Sequence, residues 1–135
     1  RIEVAELVPA VIDWARGPLS EIFAGCLQDP RVQLVQADVA DRIAAGGWNA
    51  ILLDVDNGPG GLNREANDGL YSASGLAAAH RALRPGGVLA VWSAAPDEGF
   101  TRRLRTAGFT VETEGVRAGP RGRGARHVIW LATRR

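Results

Sequence analysis

The chain has no methionine and no lysine, and only one cysteine and one tyrosine among its 135 residues. A single cysteine cannot close an internal disulfide or supply a metal cluster. Cys26 lies between Ala24-Gly25 and Leu27, and these neighbours predict a buried, inert thiol. A reducing, cytoplasmic compartment fits that cysteine usage. No apolar run approaches the ~20 residues of a membrane span, and no signal-peptide pattern opens the sequence. A formal net charge of +1 gives no electrostatic case for nucleic acid or membrane as a partner. His80 and His127 have no Cys or carboxylate at metal-ligand spacing, so both read as structural and no metal is expected. The chain starts at Arg1, directly before a strand-like run, without a methionine. The expectation is that residues precede it.

The remaining pattern is strand and helix in alternation. Ile2-Glu3-Val4-Ala5 alternates apolar and polar residues and predicts a short strand. Val8, Val11, Ile12 and Ala15 recur at the spacing of one helix face, which predicts a helix over 8–16 ended by Gly17-Pro18. A second helical piece is expected over 19–27, a strand over 32–36 and a short helix over 39–45. Ala50-Ile51-Leu52-Leu53 is an unbroken apolar run, suited to a parallel strand covered on both faces. A turn-rich loop, 54–61, follows. Further helices are predicted over 74–83 and 97–107, the latter capped by Asp97. Strands are predicted over 88–92, 110–116 and 127–132. This order argues an α/β open sheet, mostly parallel, with one antiparallel strand near the C-terminus because no helix separates the last two strands. The length suits a single domain, 1–135. Arg117, Arg121, Arg123 and Arg126 form a basic, glycine-rich stretch without interleaved aromatics. It reads as a connection between strands rather than a nucleic-acid patch. The four tryptophans read as packing residues, with Trp92 set apart because it ends a strand.

Ligands of open α/β sheets sit outside the carboxyl ends of the strands. Glu6, Asp38 and Asp54 all fall at such ends. A carboxylate there can accept bonds from ribose hydroxyls or an exocyclic amine, or take a proton from a nucleophile. Each can equally be a helix cap or loop residue, and the residues alone leave both readings open.

Four segments carry a resemblance. Glu6-Leu7-Val8-Pro9-Ala10-Val11-Ile12 is similar to the acidic strand end and following helix of spermidine synthase-like proteins. Gln36-Ala37-Asp38-Val39 resembles their adenine-contacting segment. Trp48-Asn49-Ala50-Ile51-Leu52-Leu53-Asp54 resembles their catalytic strand. Leu83-Arg84-Pro85-Gly86-Gly87-Val88-Leu89 is similar to the turn before strand five of class I methyltransferase folds. The resemblance implies a Rossmann-like class I methyltransferase fold, and an S-adenosylmethionine or decarboxylated S-adenosylmethionine nucleotide. It implies that Glu6 and Leu7 meet the ribose, that Asp38 and Val39 meet the adenine, and that Asp54 both contacts the nucleotide and deprotonates the attacking amine. Asp56, Asn57 and Tyr71 are then the candidates for the amine pocket, with Tyr71 equally readable as a core-edge aromatic. The partner implied is a small-molecule amine, and a homodimer stays open.

The chain also departs from that family. Asn57 stands where the family has a second carboxylate, and Trp92-Ser93 follows the fifth strand where a Gln is common. The family's first strand and its glycine-rich loop have no counterpart before Glu6. That strand is central in the fold, so its absence predicts two strand edges with unpaired amides. Catalysis is therefore expected of the full-length protein rather than of these residues alone. The reading in first place is a spermidine synthase-like transferase moving an aminopropyl group to an amine. A small-molecule methyltransferase is the alternative, and a non-catalytic domain that retains the fold is the second.

Overall fold

A computed structural model describes residues 1–55, 58–59, 69–119 and 123–135. The loop residues Asp56 and Asn57 therefore lie outside the described residues, as do Pro120, Arg121 and Gly122. The chain divides into two compact units, Arg1–Arg42 and Ile43–Arg135.

The N-terminal unit is built on two parallel strands, β1 (Ile2–Glu6) and β2 (Val32–Gln36), paired from Ile2↔Val32 to Glu6↔Gln36. Between them runs α1 (Pro9–Arg16), with Pro9 at its first position, where the missing N–H is no loss. Of the predicted apolar stripe on α1, Ile12 and Ala15 are buried while Val8 and Val11 stay exposed. Trp14 is also exposed, contrary to its reading as a packing residue. The expected helix over 19–27 is replaced by two short 3₁₀ turns, Ser20–Phe23 and Cys26–Gln28. Ala24 and Gly25 separate them with φ of 45° and 83°, and left-handed backbone at two successive positions ends a right-handed helix. Such short turns present no continuous buried face, and Cys26 is exposed rather than buried.

After β2 comes α2 (Val39–Ala45), and the C-terminal unit then holds a four-stranded sheet. Its strands are β3 (Trp48–Leu53), β4 (Leu83–Ser93), β5 (Phe109–Arg117) and β6 (Arg126–Arg134). The order is β3-β4-β6-β5. β3 and β4 are parallel, whereas β6 runs antiparallel to both β4 and β5. The expected open, mostly parallel sheet is thus seen as two sheets, with two parallel and two antiparallel pairings. Among the described residues β1 pairs only with β2 and β3 only with β4, so each keeps one unpaired edge. The Pro85-Gly86-Gly87 segment belongs to β4 itself, with a register shift between Trp48 and Ala50 on β3.

One face of this sheet carries Ile51, Leu53, Leu89, Val91, Trp130 and Ala132, all buried. Two helices supply the other side of the core. α3 (Ala73–Ala82) buries Leu76, Ala79 and Ala82, and α4 (Glu98–Thr106) buries Phe100, Thr101 and Leu104. Both start on side-chain caps: Ser72 accepts from Gly75 N–H, and Asp97 accepts from Phe100 N–H at 2.8 Å. At the end of α3, the Arg134 guanidinium donates to the carbonyls of Arg81 and Leu83, satisfying acceptors that the helix leaves open. The opposite sheet face is less covered. Leu52 is 75% exposed there, and Trp92 lies against the His127 ring at 4.8 Å.

Candidate functional site

Glu6 and Asp38 lie at the carboxyl ends of the two paired strands of the N-terminal unit. Glu6 is the last residue of β1, and the Ala37 N–H donates to its carbonyl at 3.1 Å, carrying the strand pairing one step beyond β2. Asp38 follows directly. Each carboxylate caps the chain that leaves its strand. Glu6 Oε1 accepts from Val8 N–H at 2.7 Å, and Asp38 Oδ1 accepts from Ala40 N–H at 2.8 Å. These bonds fix both side chains at the carboxyl ends of adjacent parallel strands. The second oxygen of each has no partner among the described residues. Both carboxylates are thus caps, and each keeps one oxygen open. Leu7 beside this edge is exposed, and Val39 is half-buried.

The pair is supported from below by an ion pair with no signature in the sequence. Arg42 on α2 donates through Nε to Glu3 Oε1 at 2.5 Å, and through Nη2 to Oε2 at 3.2 Å. Glu3 lies on β1, and its side chain is 4% exposed. The Arg42 hydrogen bonds hold the Glu3 carboxyl below its ordinary value, against the upward push of burial, with the charges of Arg42 and Arg1 adding to the effect. A lowered folded pKa means that this stabilisation is present above the ordinary value of 4.5 and is lost as pH falls through the folded value. Glu3→Gln is accordingly expected to lower stability at neutral pH. Denaturation curves from neutral to acid pH should converge for the two proteins below that transition; a constant gap at all pH values would remove the ion pair as the cause.

Asp54 belongs to the C-terminal unit. It is the first residue past β3, exposed, and its carboxylate has no partner among the described residues. Leu53 before it is buried, so the strand is anchored up to the residue that turns outward. Tyr71 is 4% exposed. Its hydroxyl donates to the Val55 carbonyl at 3.0 Å, and its ring meets Phe100 edge-on at 5.8 Å. Ser93, at the end of β4, is buried, with Oγ donating to the Ala95 carbonyl at 2.9 Å. Gly58, in the loop expected from the sequence, and Ser93, noted there only as a departure from the family pattern, come together here. A Cβ on Gly58 would fall 2.6 Å from Ser93 Cβ and Oγ, and Gly58 has φ of 84°. The Asn-Gly-Pro-Gly run signalled a turn, but not that its glycine would seat on Ser93. Among the described residues no cluster of His, Cys, Asp or Glu could hold a metal ion, and no helix is long and apolar enough to cross a membrane.

No family model matches the chain. It is 35% identical over 123 residues to the polyamine aminopropyltransferase of Mycobacterium tuberculosis, covering 82% of this chain. The spermidine synthase of Thermotoga maritima superposes with a TM-score of 0.74 and 22% identity, covering 98% of this chain and 45% of that one. In sequence this chain is similar to a polyamine aminopropyltransferase, and in fold to spermidine synthases. A second spermidine synthase structure, in complex with the transition state analogue AdoDATO, gives 0.75 at 22% identity, with 98% and 46% covered. The fold is accordingly the Rossmann-like fold of class I methyltransferases. The chain spans 23% of the length of the curated relatives it matches.

Proposed function

We propose that this chain is part of a transferase domain that takes an S-adenosylmethionine-type nucleotide and moves its aminopropyl group to a small amine. Glu6 and Asp38 fit such a ligand by donor chemistry. Each offers one unpartnered carboxylate oxygen at the same strand edge, suited to a ribose hydroxyl and to the adenine amino group respectively. Leu7 and Val39 flank them. Bound, the nucleotide supplies a sulfonium carbon: the amine nitrogen bonds to that carbon, the C–S bond breaks, and its electron pair goes to sulfur. An ammonium has no lone pair for that attack. Asp54 takes the proton from the amine nitrogen and passes it to solvent. The observation that carries this reading is the Asp54 carboxylate, exposed directly past the buried Leu53 and without a partner among the described residues, so that an amine proton can reach it.

Methyl transfer from S-adenosylmethionine uses the same nucleotide edge and is the second reading. A base at Asp54 suits an amine acceptor in either reaction, and the sequence similarity to a polyamine aminopropyltransferase puts aminopropyl transfer first. The test is calorimetry of the full-length protein with S-adenosylmethionine and with its decarboxylated form, followed by putrescine-dependent turnover. Binding of the decarboxylated form and release of a putrescine adduct are the expected results. Methyl transfer from the intact form would replace this reading with the second. Binding of neither nucleotide would leave a non-catalytic domain.

A further inference from the structure

Asp54 has no side-chain partner among the described residues, so the backbone around it sets its aim. Among the described residues, that backbone is held at the Val55 carbonyl oxygen. It accepts from the Tyr71 hydroxyl at 3.0 Å and from the Gly58 N–H at 3.4 Å. Gly58 is in turn pressed onto Ser93, too close to admit a Cβ. Val55 is thus tied to Tyr71, and Gly58 is seated on the end of β4.

The position of the Tyr71 hydroxyl is itself fixed from the core. Its ring stands at 85° to Phe100, which stands at 84° to Trp130 with centroids 5.0 Å apart. Trp130 Nε1 donates to Thr101 Oγ1 at 2.9 Å, and that hydroxyl donates to the Asp97 carbonyl at 3.1 Å. Edge-to-face contact is a preferred geometry for aromatic pairs, so each contact favours this placement of the Tyr71 ring. A ring so buried offers no open face to an amine, which sets this role apart from lining the amine pocket.

We infer that Tyr71 is a positioning residue: by holding the Val55 carbonyl it fixes the backbone that aims the Asp54 carboxylate. The inference rests on the proposed role of Asp54 as base. A displacement of about 1 Å at a reacting group can cost on the order of a hundredfold in rate, so loss of the anchor reads in kcat rather than in nucleotide binding. Tyr71→Phe, made in the full-length protein, keeps the ring and removes the hydroxyl.

Amide hydrogen exchange at Asp54, Val55 and Gly58 should speed up in the variant, while the thermal midpoint stays close to that of the parent. With turnover established, kcat should fall about tenfold or more with KM for the nucleotide unchanged. Unchanged exchange at those three amides overturns the inference, whatever the turnover. Faster exchange with unchanged kcat overturns it too. If the parent protein transfers no group to any amine, the proposed function fails. The exchange measurement then decides alone whether Tyr71 holds this segment.

Discussion

Asp54→Asn is expected to lower putrescine-dependent turnover by about a hundredfold to ten-thousandfold, the usual range for losing a general base. The nucleotide dissociation constant should change little. The substitution keeps the size and polarity of the side chain and removes only its basicity. Asp54 is exposed, and Leu53 anchors the strand before it, so the fold has no reason to respond. The decisive measurement is kcat beside a calorimetric titration of the same preparation. Turnover that survives rules out Asp54 as the base. A collapse of nucleotide binding would instead assign it to the ligand contact alone.

Phe100→Ala is expected to cost about 3–5 kcal/mol of stability, the range for removing a large aromatic from a core. Phe100 is fully buried between α4 and the sheet, with Tyr71 on one side and Trp130 on the other. Arg103 places its guanidinium 5.4 Å from the ring centroid. Truncation leaves a cavity lined by rigid rings, which collapse poorly. A fall of the thermal midpoint by about 10 °C or more should follow. Calorimetric or urea unfolding would measure it, and a loss under about 1 kcal/mol would mean that the aromatic stack closes around the gap.

The sequence was most legible where structure is local. The apolar run before Asp54 became β3, the Pro9 helix start became α1, and Asp97 caps α4 through Phe100 as its side-chain chemistry suggested. It was least legible where the outcome depends on partners far along the chain. Glu3 and Arg42 are 39 positions apart, and nothing near either residue marks them as a pair. The division into two sheets depends on which strand finds which edge, a non-local matter. The 19–27 stretch failed for a different reason. Its apolar spacing suits a helix, but Ala24 and Gly25 adopt left-handed backbone, and periodicity carries no information about that. The strand-end positions of Glu6, Asp38 and Asp54 followed from counting to the end of each apolar run. The contacts of Tyr71 with Val55 and of Ser93 with Gly58 were not legible, because each joins residues far apart in the chain.

Among residues 1–42, the only buried apolar side chains are Ile12 and Ala15. A two-stranded sheet over so thin a core is marginal by itself, and such regions open locally at small free energies. With residues 1–135 alone, the carboxylates Glu6 and Asp38 therefore stand on a unit with little buried apolar surface to hold it closed. A ligand that recognises only the closed form holds it closed by mass action, adding about 2.7 kcal/mol at a hundred times its dissociation constant. Recognition at this edge and local folding of the segment that provides it are then one equilibrium.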